Sequence, residues 1–136
     1  MLFRYYLIIF AGKKMSTRIL IALGSNHEQE KNVAFAVERL RSFFPGISFS
    51  RTLWTEPIGI ASDRFVNALA LADTDREQEE VERILKQIEK ECGRTREEKM
   101  KNIIRLDLDL LQWGTVRLRE QDLERDYIRL LLQEMQ

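Results

Sequence analysis

The chain has 136 residues, enough for one domain, and its 44% hydrophobic and 32% charged content fits a globular protein with a modest core. Lys plus Arg and Asp plus Glu both number 22, so the formal net charge is zero and no broad basic footprint for nucleic acid is present. A single Cys and a single His exclude an intrachain disulfide, a multi-cysteine zinc site and a His-rich metal site.

Met1 to Ala11 is apolar except for Arg4, and Gly12, Lys13 and Lys14 follow. The run is too short to span a bilayer and lacks the small-residue cleavage site of a signal peptide. Met15 stands just before the first clear strand. Residues 1–14 are therefore expected to be an upstream extension: a frayed tail, an added edge strand or a misassigned start. Residues 15–136 are expected to form a single domain, a monomer of the cytoplasm with no membrane partner.

Ile19 to Leu23 is a continuous apolar run, the pattern of a strand buried on both faces. Gly24-Ser25 ends it, and Asn26 with Gln29 reads as a capping box. Val33, Val37, Leu40 and Phe44 recur at helical spacing, and Pro45-Gly46 stops that helix. Ile47 to Trp54 alternates as a second strand. Thr55 to Arg64, with Pro57 and Gly59, reads as a loop. Phe65 to Ala72 is a third strand, with Phe65, Asn67, Leu69 and Leu71 on one face.

Thr74 and Glu77 suggest a second capping box. Val81, Ile84, Leu85, Ile88 and Cys92 then form the apolar stripe of a helix. Gly93 suits its C′ position. Cys92, on that stripe, reads as core packing rather than a nucleophile. A polar, basic loop follows, and a fourth strand runs from Arg105 to Trp113. Leu123, Tyr127, Leu130 and Leu131 suggest a final helix. The order β-α-β-β-α-β predicts an α+β, ferredoxin-like plan: a four-stranded antiparallel sheet with helices on one face, plus a short C-terminal helix.

The fourth strand is the most informative stretch. Leu106, Leu108 and Leu110 share one face, while Asp107 and Asp109 share the other. Asp is a poor strand former, and two like charges side by side repel. A hard dication such as Mg²⁺ would relieve them, because it takes carboxylate oxygens together with substrate phosphates. A solvated face of an amphipathic strand is the plainer alternative.

Several segments, in order, bear on that choice. They are Ala22-Leu23-Gly24-Ser25-Asn26, then Arg51 to Gly59 (RTLWTEPIG), then Phe65-Val66-Asn67-Ala68. Ile88-Glu89 with Cys92-Gly93-Arg94-Thr95-Arg96 follows, and Leu106 to Leu110 closes the set. Together they resemble the 6-hydroxymethyl-7,8-dihydropterin pyrophosphokinase family of folate biosynthesis, over about Ile19 to Trp113. The resemblance implies transfer of the terminal pyrophosphoryl group of ATP to the hydroxymethyl oxygen of the pterin, releasing AMP. It implies two Mg²⁺ ions on Asp107 and Asp109, with ATP as co-substrate. Thr55, Ile58, Phe65 and Asn67 would form the pterin site, with Asn67 reading the pterin edge and Phe65 stacking on the ring. Glu89, Arg94 and Arg96 match the nucleotide side, and Arg94 and Arg96 would neutralise phosphates.

Two departures accompany the match. The family carries Gly-Pro-Arg-Thr before its paired Asp residues, where this chain reads Asn102-Ile103-Ile104-Arg105. Arg105 would be the catalytic arginine, displaced by one residue; on a strand that shift turns a side chain to the opposite face, which a β-bulge would undo. The family's Pro-His segment is missing after the metal strand, a shortening near the C-terminus. Glu124-Arg125-Asp126-Tyr127 resembles the end of that segment, with Tyr127 at the second stacking position and Arg125 at a phosphate-binding one. Two functions fit: a compact pyrophosphokinase, and a catalytically impaired relative that binds pterin or nucleotide or serves a partner protein.

Overall fold

The computed structural model of the chain describes residues 16–136. The expected extension at 1–14 lies outside the described residues. Eleven elements follow in order among those described: β1 (Thr17–Ser25), α1 (Gln29–Phe43), β2 (Ser48–Phe49), β3 (Leu53–Thr55) and β4 (Phe65–Thr74), then α2 (Gln78–Glu91), α3 (Arg96–Met100), β5 (Asp107–Trp113), β6 (Val116–Arg117), α4 (Glu120–Leu123) and α5 (Asp126–Met135). The strands form one antiparallel sheet in the order β2-β4-β1-β5-β6, with β3 also pairing β4. Among the described residues no helix is long and apolar enough to cross a membrane.

The fold is α+β with an antiparallel sheet as expected, but among the described residues the sheet has six strands, not four. The expected second strand breaks into β2 and β3 at Ser50. There the Leu69 amide donates to Ser50 Oγ at 2.8 Å instead of to a ladder carbonyl, which interrupts the pairing. After β5 the chain turns through Gly114, whose φ of +58° suits glycine, and adds β6 as an extra edge.

β1 is the central strand, so its apolar run is buried on both sides; Ile19, Leu20, Ile21 and Leu23 are all nearly inaccessible. Val33, Ala36 and Leu40 of α1 and Val81, Ile84, Leu85 and Ile88 of α2 pack on one face, against Ile19, Ile21, Leu23, Leu106, Leu108 and Leu110. The other face is covered as well. Leu123, Ile128 and Leu131 of the C-terminal segment pack there on Leu20, Leu69 and Leu111. The C-terminal helix is thus a second layer, split into α4 and α5.

Neither Asn26 nor Thr74 is a helix N-cap. α1 starts after Glu28, which sits at φ 45° without a side-chain cap, and α2 starts after Glu77, also without one. Thr74 Oγ1 accepts from the Arg76 amide instead. Packing explains why the helices persist: a cap contributes about 1 kcal/mol, whereas each fully buried Leu, Ile or Val contributes roughly 2 kcal/mol. Asn26 has a different task. Its Nδ2 donates to the Asn102 carbonyl at 2.8 Å, and its Oδ1 accepts from the Ile104 amide at 2.7 Å. This pins the end of β1 to the stretch that leads into β5.

Candidate active site

Pleating sends Asp107 and Asp109 to the sheet face opposite Leu106, Leu108 and Leu110, as the alternation requires. On the same face stand Phe65 and Asn67 of β4. The register puts Asn67 opposite Gly24, and Gly24 opposite Asp107 on its other side. Gly24 thus sits between the two functional strands. Its bare Cα leaves room for Asn67, whose Oδ1 would lie 3.0 Å from any Cβ placed there.

A cavity of about 260 Å³ opens on this face. Thr55, Ile58, Phe65, Asn67 and Tyr127 line it, along with Asp107, Asp109, Asp122 and Arg125. Every residue expected at the pterin site is therefore gathered in one place. Asn67 is buried and its Nδ2 donates to Thr55 Oγ1 at 2.6 Å, and among the described residues no donor reaches its Oδ1. Burial raises the Tyr127 hydroxyl above its ordinary range.

A second, open groove of about 1380 Å³ runs along the far side of the carboxylates. Lys86, Lys90, Arg94, Arg96, Lys99 and Arg119 line it together with Glu82, Glu89, Asp107, Asp109, Glu120 and Asp122, so it is highly charged with both signs represented equally. Ile104, Asp107, Asp109 and Asp122 belong to both walls. The acidic residues thus stand at the junction between a small, mixed-polarity cavity and a larger groove rich in charged side chains. Arg125 lines the cavity rather than the groove and donates to Asp122 Oδ1 at 3.1 Å.

The carboxylates are neutralised pairwise. Arg94 Nη1 approaches Asp107 Oδ1 at 3.3 Å and Glu89 Oε2 at 2.8 Å. Glu89, only 8% exposed, also accepts the Leu108 amide at 2.7 Å. Its position in the groove wall is that of a tether for β5 and Arg94. Burial raises the Glu89 carboxyl above its usual range, against the pull of the Leu108 amide and Arg94. Arg119 Nη2 meets Asp109 Oδ1 at 3.3 Å. Burial, reinforced by Asp107 and opposed by Arg119, pushes Asp109 up to about 7.

Arg105 is not brought to the junction. Its guanidinium binds Glu98 of α3 at 2.9 Å, and its aliphatic stem runs beside Gly93, where an added Cβ would lie 3.6 Å from Cδ. The bulge that would have redirected it lies elsewhere: the β1–β5 register shifts between Leu20 and Ile21, opposite Leu111. Apolar Ile104 takes the place at the junction. Arg105 anchors the loop holding Arg94 and Arg96, which α3 and its Thr95 cap also order.

Sequence reasoning missed Arg119, Asp122 and Ile104. The first two carried a signal, since Arg119, Asp122 and Arg125 recur three residues apart, the spacing of one helical face. Cys92 meets its expectation: it packs against the core, its thiol raised by burial and donating to Asn32 Oδ1 at 3.3 Å.

A small cavity and a larger charged groove thus meet at a carboxylate pair on one face of an antiparallel α+β sheet. The family model for 7,8-dihydro-6-hydroxymethylpterin-pyrophosphokinase (HPPK) matches residues 20–136, and the chain belongs to that family. HPPK proteins are pyrophosphate transferases of folate biosynthesis whose substrates are ATP and a pterin. A search of curated proteins gave no match.

Asp107 and Asp109 fit Mg²⁺ chemically. This ion needs only one or two protein carboxylates, with water and phosphate oxygens completing its shell. Among the described residues no three His, Cys, Asp or Glu side chains converge on a metal-binding geometry, so phosphates and water would supply the remaining ligands.

Proposed function

We propose that this chain transfers the β,γ-pyrophosphoryl group of ATP to the hydroxymethyl oxygen of 6-hydroxymethyl-7,8-dihydropterin, with Mg²⁺ held by Asp107 and Asp109. The observation that carries the reading is the junction: Asp107 and Asp109, side by side on one sheet face, are shared by the cavity and the groove that holds Arg94 and Arg96. The pterin would lie between Phe65 and Tyr127, with Asn67 hydrogen-bonded to its polar edge and Thr55 holding the Asn67 amide in place. The triphosphate would run along the groove over Arg94 and Arg96, and Arg125 would meet the transferred group from the cavity side.

The hydroxymethyl oxygen bonds to the β-phosphorus, the bond from that phosphorus to the α-β bridging oxygen breaks, AMP leaves, and the hydroxyl proton is released. Such transfers depend mostly on positioning and charge neutralisation. Bound Mg²⁺ would supply charge neutralisation along the triphosphate and at the entering and leaving oxygens. Glu89 contributes by fixing Arg94 and the β5 backbone, and Arg105 by fixing the arginine loop through Glu98.

A second reading, a relative that binds pterin or nucleotide without turnover, is favoured by one observation. Ile104 stands at the junction where the family pattern has an arginine. ATP labelled in its β-phosphate separates the two. The enzyme delivers the label to the pterin and leaves unlabelled AMP, while a binding protein leaves the label in ATP. Label recovered in ADP would refute pyrophosphoryl transfer.

A further inference from the structure

Among the described residues two arginines reach the carboxylate pair, and they are held very differently. Arg94 is gripped by Glu89 at 2.8 Å as well as by Asp107, and its side chain is only 24% exposed. Glu89 is itself tied to the Leu108 amide. If Asp107 found another cation, Arg94 would still have a buried carboxylate to hold it. Arg119 has no such anchor. Its side chain is 52% exposed, and its second carboxylate, Asp122, lies 3.9 Å away and already engages Arg125 at 3.1 Å.

The need for the Asp109–Arg119 pair is one-sided. The Asp109 side chain is 25% exposed, with another carboxylate two residues along the same face. It requires a positive neighbour. Arg119 can be solvated without one, so on its side the bond is weak. Arg119 also lines the groove that holds Arg94 and Arg96, and a guanidinium fork suits phosphate as well as carboxylate.

We propose that Arg119 is an exchangeable counter-cation for Asp109, displaced by a divalent cation and then turned along the groove to pair with nucleotide phosphate oxygens. The inference rests on the reading of Asp107 and Asp109 as metal-binding carboxylates. Guanidinium and dication repel each other and compete for the same Asp109 oxygen. The dication alone therefore binds weakly. With nucleotide, phosphates receive the displaced guanidinium, so the two bind cooperatively. Arg94 makes no exchange.

The test is Mn²⁺ binding to the purified protein, read from the paramagnetic resonance of the free ion, for wild type, Arg119→Gln, Arg119→Lys and Asp109→Asn. Without nucleotide, Arg119→Gln should bind Mn²⁺ about three- to fivefold more tightly, the worth of an exposed ion pair. Arg119→Lys, which keeps the charge, should return towards wild type. Affinity for Mn²⁺-ATP should move the opposite way, falling about tenfold in Arg119→Gln as a charge-assisted phosphate bond is lost. A merely structural role would shift both affinities in one direction. Unchanged or weaker Mn²⁺ binding in Arg119→Gln overturns the counter-cation role, and unchanged Mn²⁺-ATP binding overturns the transfer to phosphate. Wild-type Mn²⁺ binding by Asp109→Asn would instead remove the metal assignment beneath both.

Discussion

Asp109→Asn should stabilise the metal-free protein above neutral pH while removing its metal-dependent function. In the folded state Asp109 is pushed from 3.8 up to about 7, chiefly by burial. A raised carboxylate binds its proton more tightly when folded, so its contribution favours folding below about pH 4 and is lost as pH rises through about 7. Between pH 5 and pH 8 that loss amounts to roughly 2 to 3 kcal/mol, at about 1.4 kcal/mol per unit. Asn has the same shape and no charge to desolvate. It leaves Arg119 unpaired, but that side chain is mostly solvated, so the offset is small. Urea unfolding of both proteins in EDTA at the two pH values measures the difference. The advantage of Asp109→Asn should grow by roughly 2 to 3 kcal/mol from pH 5 to pH 8. Parallel behaviour at both pH values would show that Asp109 is not desolvated as described, and would refute the reasoning.

Three further outcomes follow from the site's geometry. Gly24→Ala puts a Cβ 3.0 Å from Asn67 Oδ1, while the Asn67 amide is tethered to Thr55 at 2.6 Å. Losing one good hydrogen bond to the pterin, about 1 kcal/mol, should raise the pterin KM roughly fivefold; an equal rise in the ATP KM would contradict this geometry. Glu89→Ala should cost about 1 to 3 kcal/mol in denaturant unfolding because it strands the buried Leu108 amide. Glu89→Gln keeps an acceptor there and should cost less, yet both should weaken ATP binding by freeing Arg94. Equal stability losses would remove the tether. Arg105→Ala and Glu98→Ala should each weaken ATP binding to a similar degree, with little added in the double variant, since they share one bond. Additive losses would place Arg105 at the phosphates after all.

The sheet's core was legible because period-2 and helical patterns report burial directly: the β1 run, the Leu106-Leu108-Leu110 face and the two helix stripes all lie where alternation places them. Turn chemistry was read less well. Asn26 and Thr74 have the side chains of caps, but the first is recruited by Asn102 and Ile104, far along the chain, and pattern reading cannot see such a partner. The break at Ser50 was hidden for the same reason, because its cause is a side chain serving a strand that comes later in the chain. At the site, the cavity residues formed a set because each matched a motif. Arg119 and Asp122 matched none, and only their spacing hinted at them. Arg105 shows the limit of motif reading: residue type and position nearly fit, but a glutamate seven residues earlier decides where the guanidinium goes.

The central claim is that the junction of cavity and groove performs pterin-directed pyrophosphoryl transfer. Its most direct test is AMP release by the purified protein supplied with ATP and Mg²⁺, with and without 6-hydroxymethyl-7,8-dihydropterin, alongside Asp107→Ala. The account predicts AMP only when pterin is present, and none from Asp107→Ala despite retained fold. A folded wild-type protein that binds both substrates yet releases no AMP, or an Asp107→Ala variant that releases it at the wild-type rate, would contradict it.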